Sequence, residues 1–95
     1  MPYKLSLPAS WIAQGWKAKI RDRERLEPPH VTLVRGRSAW RLSLRTGQFL
    51  DREPNPADVP TELLEHVQAN MDALRAAWDE MYPENPVQSV EVDDG

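Results

Sequence analysis

The chain has 95 residues, 40% of them hydrophobic, with four Trp, nine Pro, no Cys and a formal charge of −3. That length suits one domain, and the lack of cysteine excludes disulfide staples, thiolate metal sites and cysteine nucleophiles. The charge is unevenly placed: up to Arg52 there are 11 Lys and Arg against 4 Asp and Glu, and from Glu53 onward one Arg against 11 acids, which predicts a bipolar molecule.

In chain order, Tyr3, Leu5 and Leu7 alternate with Lys4 and Ser6 between Pro2 and Pro8. This reads as a short edge strand or an extended arm. Ser10-Trp11-Ile12 opens a brief turn ended near Gly15. Trp16, Ala18 and Ile20 then alternate with Lys17, Lys19 and Arg21, a period-2 strand with one apolar and one basic face. Asp22 to Glu27 reads as a charged loop, and Pro28-Pro29 forces an extended lead. Val31 to Arg35 is a second strand, turned at Gly36 and Ser38. Trp40, Leu42 and Leu44 alternate with Arg41, Ser43 and Arg45 in a third, and Thr46-Gly47 turns into a brief fourth over Gln48 to Leu50. Such short connections make neighbouring strands antiparallel.

Asp51 to Val59 is a polar loop with Pro54 and Pro56. Leu64, Val67, Met71, Leu74, Trp78 and Met81 follow at helical spacing, predicting one helix from Pro60 to Tyr82. Glu62 and Glu65 suit the positive end of its dipole. The fold class is therefore α+β: an antiparallel β-meander of three to four strands, then one long C-terminal amphipathic helix. Residues 1–86 form the domain and 87–95 an acidic, mobile tail. A helix of about 23 residues is about 34 Å long and outreaches a six-residue strand of about 20 Å. Its far end, with Trp78 and Met81, needs a cover: the N-terminal arm (Tyr3, Leu7, Trp11, Ile12) or a second copy of the helix in a homodimer.

Two groups of residues point to chemistry. Lys17, Lys19, Arg21, Arg41 and Arg45 would make a basic sheet face able to hold a nucleic-acid backbone or another polyanion. An exposed sheet face also needs polar residues for ordinary solubility. Trp16 and Trp40 point to the other side in this register, so the face lacks a base-stacking platform. His30, fixed by the two prolines, is a candidate catalytic general acid or base, with Arg41 or Arg45 stabilising negative charge. A lone histidine is more often a hydrogen-bonded structural residue. His66 reads as an exposed residue of the helix, and with Glu62 it offers too few ligands for a metal. No phosphate-cradling glycine loop, G-x-S-x-G or H-E-x-x-H motif occurs, so no cofactor and no metal is expected. No stretch approaches the roughly 18 apolar residues that span a bilayer, and the chain reads as cytoplasmic with no membrane partner.

The succession of GWKAKI, PPHVTLVRG, TGQFL and VPTELLEHV through LRAAWDEM resembles the small bacterial domain-of-unknown-function family 4160, over roughly Trp11 to Tyr82. The resemblance implies a small α+β domain, and for some members a neighbouring gene that gives a toxin–antitoxin-like arrangement. That family usually carries further histidines around the double proline; here Thr32 and Leu26 stand in those places. The resemblance therefore implies no histidine cluster in this chain. Taken together, a toxin–antitoxin-like or regulatory module binding a protein partner, with RNA or DNA as a further partner, is the first expectation. A small hydrolase or nuclease built on His30 and a homodimeric interaction module are the alternatives.

Overall fold

The computed structural model describes residues 3–21 and 26–88. Four strands, β1 (Tyr3–Leu5), β2 (Trp16–Ile20), β3 (His30–Arg35) and β4 (Ser38–Ser43), form one antiparallel meander in the order β1-β2-β3-β4. A five-residue helix α1 (Ala9–Ala13) links β1 to β2. After β4 come a 3-10 turn (Pro56–Asp58) and two helices, α2 (Thr61–Ala69) and α3 (Met71–Met81). The α+β class holds. The fourth strand, however, is the N-terminal segment; Gln48 to Leu50 contributes only an isolated bridge, Leu42 to Phe49.

Alternation builds the sheet as the sequence reading requires. The pairs Leu5–Ala18, Ala18–Leu33 and Leu33–Trp40 cross all four strands on one face, and all four side chains are buried. Trp16, Ile20, Val31, Leu42 and Leu44 complete that layer under the helices. The β3–β4 hairpin has a two-residue loop, since Arg35 pairs with Ser38. Its first residue, Gly36, has φ +60, a conformation a side chain would strain and hairpin twist requires.

The predicted single helix is interrupted at Asn70, which has φ −105 and ψ 17. Its side-chain Nδ2 donates to the carbonyl of His66 at 2.8 Å, and such side-chain bonds compete with the helical ladder. The buried stripe accordingly starts at Leu63 rather than Leu64, and continues through Val67, Met71, Leu74 and Trp78. Leu64 and Met81 pack against it only in part.

The far end of α3 has a cover that the sequence reading did not name. The residues after the helix turn back over it. The Trp78 indole Nε1 donates to the carbonyl of Asn85 at 2.7 Å, and Tyr82 packs on Trp78 at 4.4 Å between ring centroids. The backbone N–H of Val87 donates to Asp79 Oδ1 at 2.8 Å. Val87, assigned by sequence to the tail, is buried in the core; residues 89–95 of that tail, like 22–25 of the charged loop, lie outside the described residues. No helix among the described residues is long and apolar enough to cross a membrane.

Leu74 is fully buried, so Leu74→Ala is expected to lower the unfolding free energy by about 2–5 kcal/mol. Leu26 is 88% exposed, and Leu26→Ala should change it by less than about 0.5 kcal/mol. Urea unfolding followed by tryptophan fluorescence measures both; equal effects would remove Leu74 from the core.

Candidate functional site

The outer face of the sheet is laid out by the strand register. One row across it reads Lys4, Lys19, Thr32, Arg41, each opposite the next. A second reads Lys17, Val34, Ala39, and a third pairs His30 with Ser43. The basic residues of β2 and β4 are on the same face but not on neighbouring strands. β3 lies between, so the lysine and arginine backbones stand about 10 Å apart. Trp16 and Trp40 lie on the inner face, 5.3 Å apart between ring centroids, as expected.

The five predicted cations differ in what they contact. Arg41 is committed within the fold: Nε and Nη2 donate to Asp51 Oδ2 and Oδ1 at 2.8 and 2.7 Å, and Nη1 donates to Glu27 Oε1 at 3.2 Å. This fork-to-fork pairing is the strongest geometry open to an arginine. It pulls the Asp51 carboxyl below its ordinary value, chiefly through those hydrogen bonds, and makes Arg41 still harder to deprotonate. Arg45 lies beyond the end of β4 and clasps the C-terminal segment, donating to the carbonyls of Val87 and Pro86 at 2.7 and 3.0 Å. Arg21 follows directly after β2, is exposed, and its carbonyl accepts the hydroxyl of Tyr82.

Lys17 and Lys19 remain, and they gain a neighbour that the sequence reading passed over. Lys4 sits directly opposite Lys19. None of these three lysines has an ion pair among the described residues. Like charges facing each other across two strands destabilise a sheet, so this pair is a cost the fold itself does not relieve. The signal for Lys4 was its place in the Tyr3, Leu5, Leu7 alternation.

His30 is fully buried. Its Nδ1–H donates to the carbonyl of Pro28 at 2.7 Å, Nε2 stands 3.7 Å from Glu27 Oε1, and its ring lies 5.6 Å from that of Trp78. Glu27 thus links His30 to Arg41. A shallow groove nearby is lined by Glu27, Arg45 and Glu84, but His30 is not on its wall. His66 is half-buried rather than exposed, its Nε2 3.0 Å from the carbonyl of Ser6, and ties α2 to the end of β1. No group of three metal-ligating side chains occurs among the described residues.

A second feature adjoins the lysines. β1 and β2 pair only as far as Leu5–Ala18; beyond that point they part around a cleft of about 300 Å³. Leu5, Leu7, Ile12 and Trp16 make its apolar wall, with Lys4 and Lys17 also on it. Ile12 is 59% exposed. The Trp16 indole Nε1 is the one buried side-chain nitrogen or oxygen among the described residues without a hydrogen-bond partner, and a buried unpaired donor costs about 1–3 kcal/mol.

Asp51→Asn should lower stability at pH 7 by about 1 kcal/mol, because both partners are one-third exposed and solvent screens the pair. Since the folded carboxyl is more acidic than the unfolded one, of about 3.9, the wild-type advantage is present above that pH. It is lost as pH falls through the folded value. Urea midpoints for both proteins between pH 7 and pH 2.5 measure this; a constant gap would show that the ion pair is not its source. No family model, no curated protein and no solved structure matches the chain, so the family resemblance rests on the residues quoted for it.

Proposed function

We propose that this chain is a small binding module, of the toxin–antitoxin-like or regulatory kind, that engages an acidic protein partner through Lys4, Lys17 and Lys19. The observation that carries this reading is the set of three lysines on one sheet face, two of them directly opposed, none with an ion pair among the described residues. An acidic surface would relieve that repulsion and gain charge-assisted hydrogen bonds.

One observation favours protein over nucleic acid as the partner. The aromatic side chains of the sheet, Tyr3, Trp16 and Trp40, are on the face under the helices, which leaves the lysine face without a base-stacking platform. The hydrolase reading loses support because a substrate has no access to His30 at 0% exposure. The homodimer reading loses its motive because residues 82–87 cover the end of α3.

The test is fluorescence anisotropy with two probes of equal charge, an Asp/Glu-rich peptide and a single-stranded RNA, at 50 and 200 mM salt. Peptide binding that disappears in the Lys4→Glu, Lys17→Glu, Lys19→Glu triple variant is the expected result. RNA binding with a loss of about twentyfold over that salt range, the figure for three phosphates on a single strand, would replace the protein partner with nucleic acid. Binding of neither probe at 50 mM salt, or undiminished binding by the triple variant, would overturn the proposal.

A further inference from the structure

We propose that the cleft between β1, α1 and β2 binds a small apolar carboxylate, a ligand distinct from the macromolecular partner above. The case begins with shape. The strands separate after Leu5–Ala18, and α1 closes the far side with Ile12, leaving about 300 Å³. That is the lower end of the range for small-molecule sites, about 300–1,000 Å³, which sets the ligand at medium-chain or single-ring size.

The lining sets its chemistry. Leu5, Leu7, Ile12 and Trp16 offer an apolar bed, suited to a hydrocarbon body. The charged groups on the cleft are Lys4 and Lys17, both exposed and without an ion pair among the described residues. Ammonium groups donate hydrogen bonds and accept none, so the ligand's polar end must be an acceptor carrying negative charge. A carboxylate on an apolar body satisfies both requirements, whereas an amine or a neutral alcohol satisfies at most one.

The fold's own contacts do not account for these features. Ile12 is 59% exposed beside the cleft and is not among the side chains packed against the core. Trp16, by contrast, is fixed: it packs on Trp40 and lies 5.7 Å beneath the Arg35 guanidinium. A rigid aromatic wall opposite an exposed aliphatic side chain is the arrangement of a small apolar binding site.

Octanoate is the probe, and the Trp16 indole N–H resonance is the reporter in a nitrogen-15 spectrum, assigned by its absence in Trp16→Phe. The indole N–H groups of Trp40 and Trp78 are bonded to the carbonyls of Asn55 and Asn85 and serve as internal references. Octanoate should give a saturable shift of the Trp16 signal and leave those two in place. Octylamine should give none, and 1-octanol should bind about tenfold or more weakly, the loss expected for a charge-assisted hydrogen bond. Lys4→Gln and Lys17→Gln should each weaken octanoate severalfold. Ile12→Ser should weaken octanoate while leaving acidic-peptide binding intact, because it removes apolar wall and no charge. No saturable shift with octanoate, equal binding of octylamine, or insensitivity to both Ile12→Ser and the lysine variants would overturn the proposal, whatever the outcome for the acidic peptide.

Discussion

The burial of Trp78 is the contact on which the remainder of the molecule depends. Its ring is fully buried between His30 from the sheet and Tyr82 from the segment after α3. Its indole N–H is satisfied by the carbonyl of Asn85, so the segment after the helix must fold back for the burial to be tolerable. That segment in turn reaches three elements. Asn85 Nδ2 donates to the carbonyl of Glu27, the Tyr82 hydroxyl to that of Arg21, and the carbonyls of Pro86 and Val87 accept from Arg45. One tryptophan thereby couples the helix end, the β2–β3 loop and the β4 exit. Replacing a buried aromatic of this size by alanine removes about 3–5 kcal/mol, a large part of the stability of a small domain.

Charge is used differently at the two sides of the sheet. On the β4 side the basic residues are absorbed by structure: Arg41 holds Asp51 and Glu27, Arg45 holds the C-terminal segment, and Arg75 donates to the carbonyl of Leu44. On the β1–β2 side Lys4 faces Lys19, Lys17 shares their face, and none of the three has an ion pair among the described residues. The difference lies in the acceptors supplied. The loop after β4 brings Asp51 back over its own strand, with Leu50 N–H bonded to the Arg41 carbonyl; β1, at the opposite edge, is followed by Ala9–Ala13, which contains no acid. The lysine face follows from that asymmetry, and it shares Lys4 and Lys17 with the adjoining cleft.

The candidate site was only partly legible in the sequence. Period-2 alternation placed Lys17, Lys19 and Arg41 on a common face, because the parity of a strand fixes which side each residue takes. Alternation carries no information about partners, so it could not separate Arg41, bound to Asp51 ten positions later, from Lys17. Arg45 has the right parity but follows the last residue of β4, where the side chain is directed by the segment it meets. His30 was correctly located at the start of a strand. Its burial depends on Trp78, 48 positions away in sequence, and no local pattern encodes that contact. The cleft was not legible, since it arises where β1 stops pairing with β2.

By itself, the sequence determined the α+β class, the antiparallel order of β2, β3 and β4, and the inward face of Trp16, Ala18, Ile20, Trp40 and Leu42. Each of these follows from local periodicity and short connections, which act within a few residues. Tertiary structure decided the break at Asn70, the return of residues 82–87 over Trp78, and the withdrawal of Arg41 and Arg45 from the basic face. It also decided the joining of Lys4 to Lys17 and Lys19. These depend on which distant groups come into hydrogen-bonding or van der Waals range. The free energy of such contacts is settled only when desolvation and pairing are set against each other in the assembled fold.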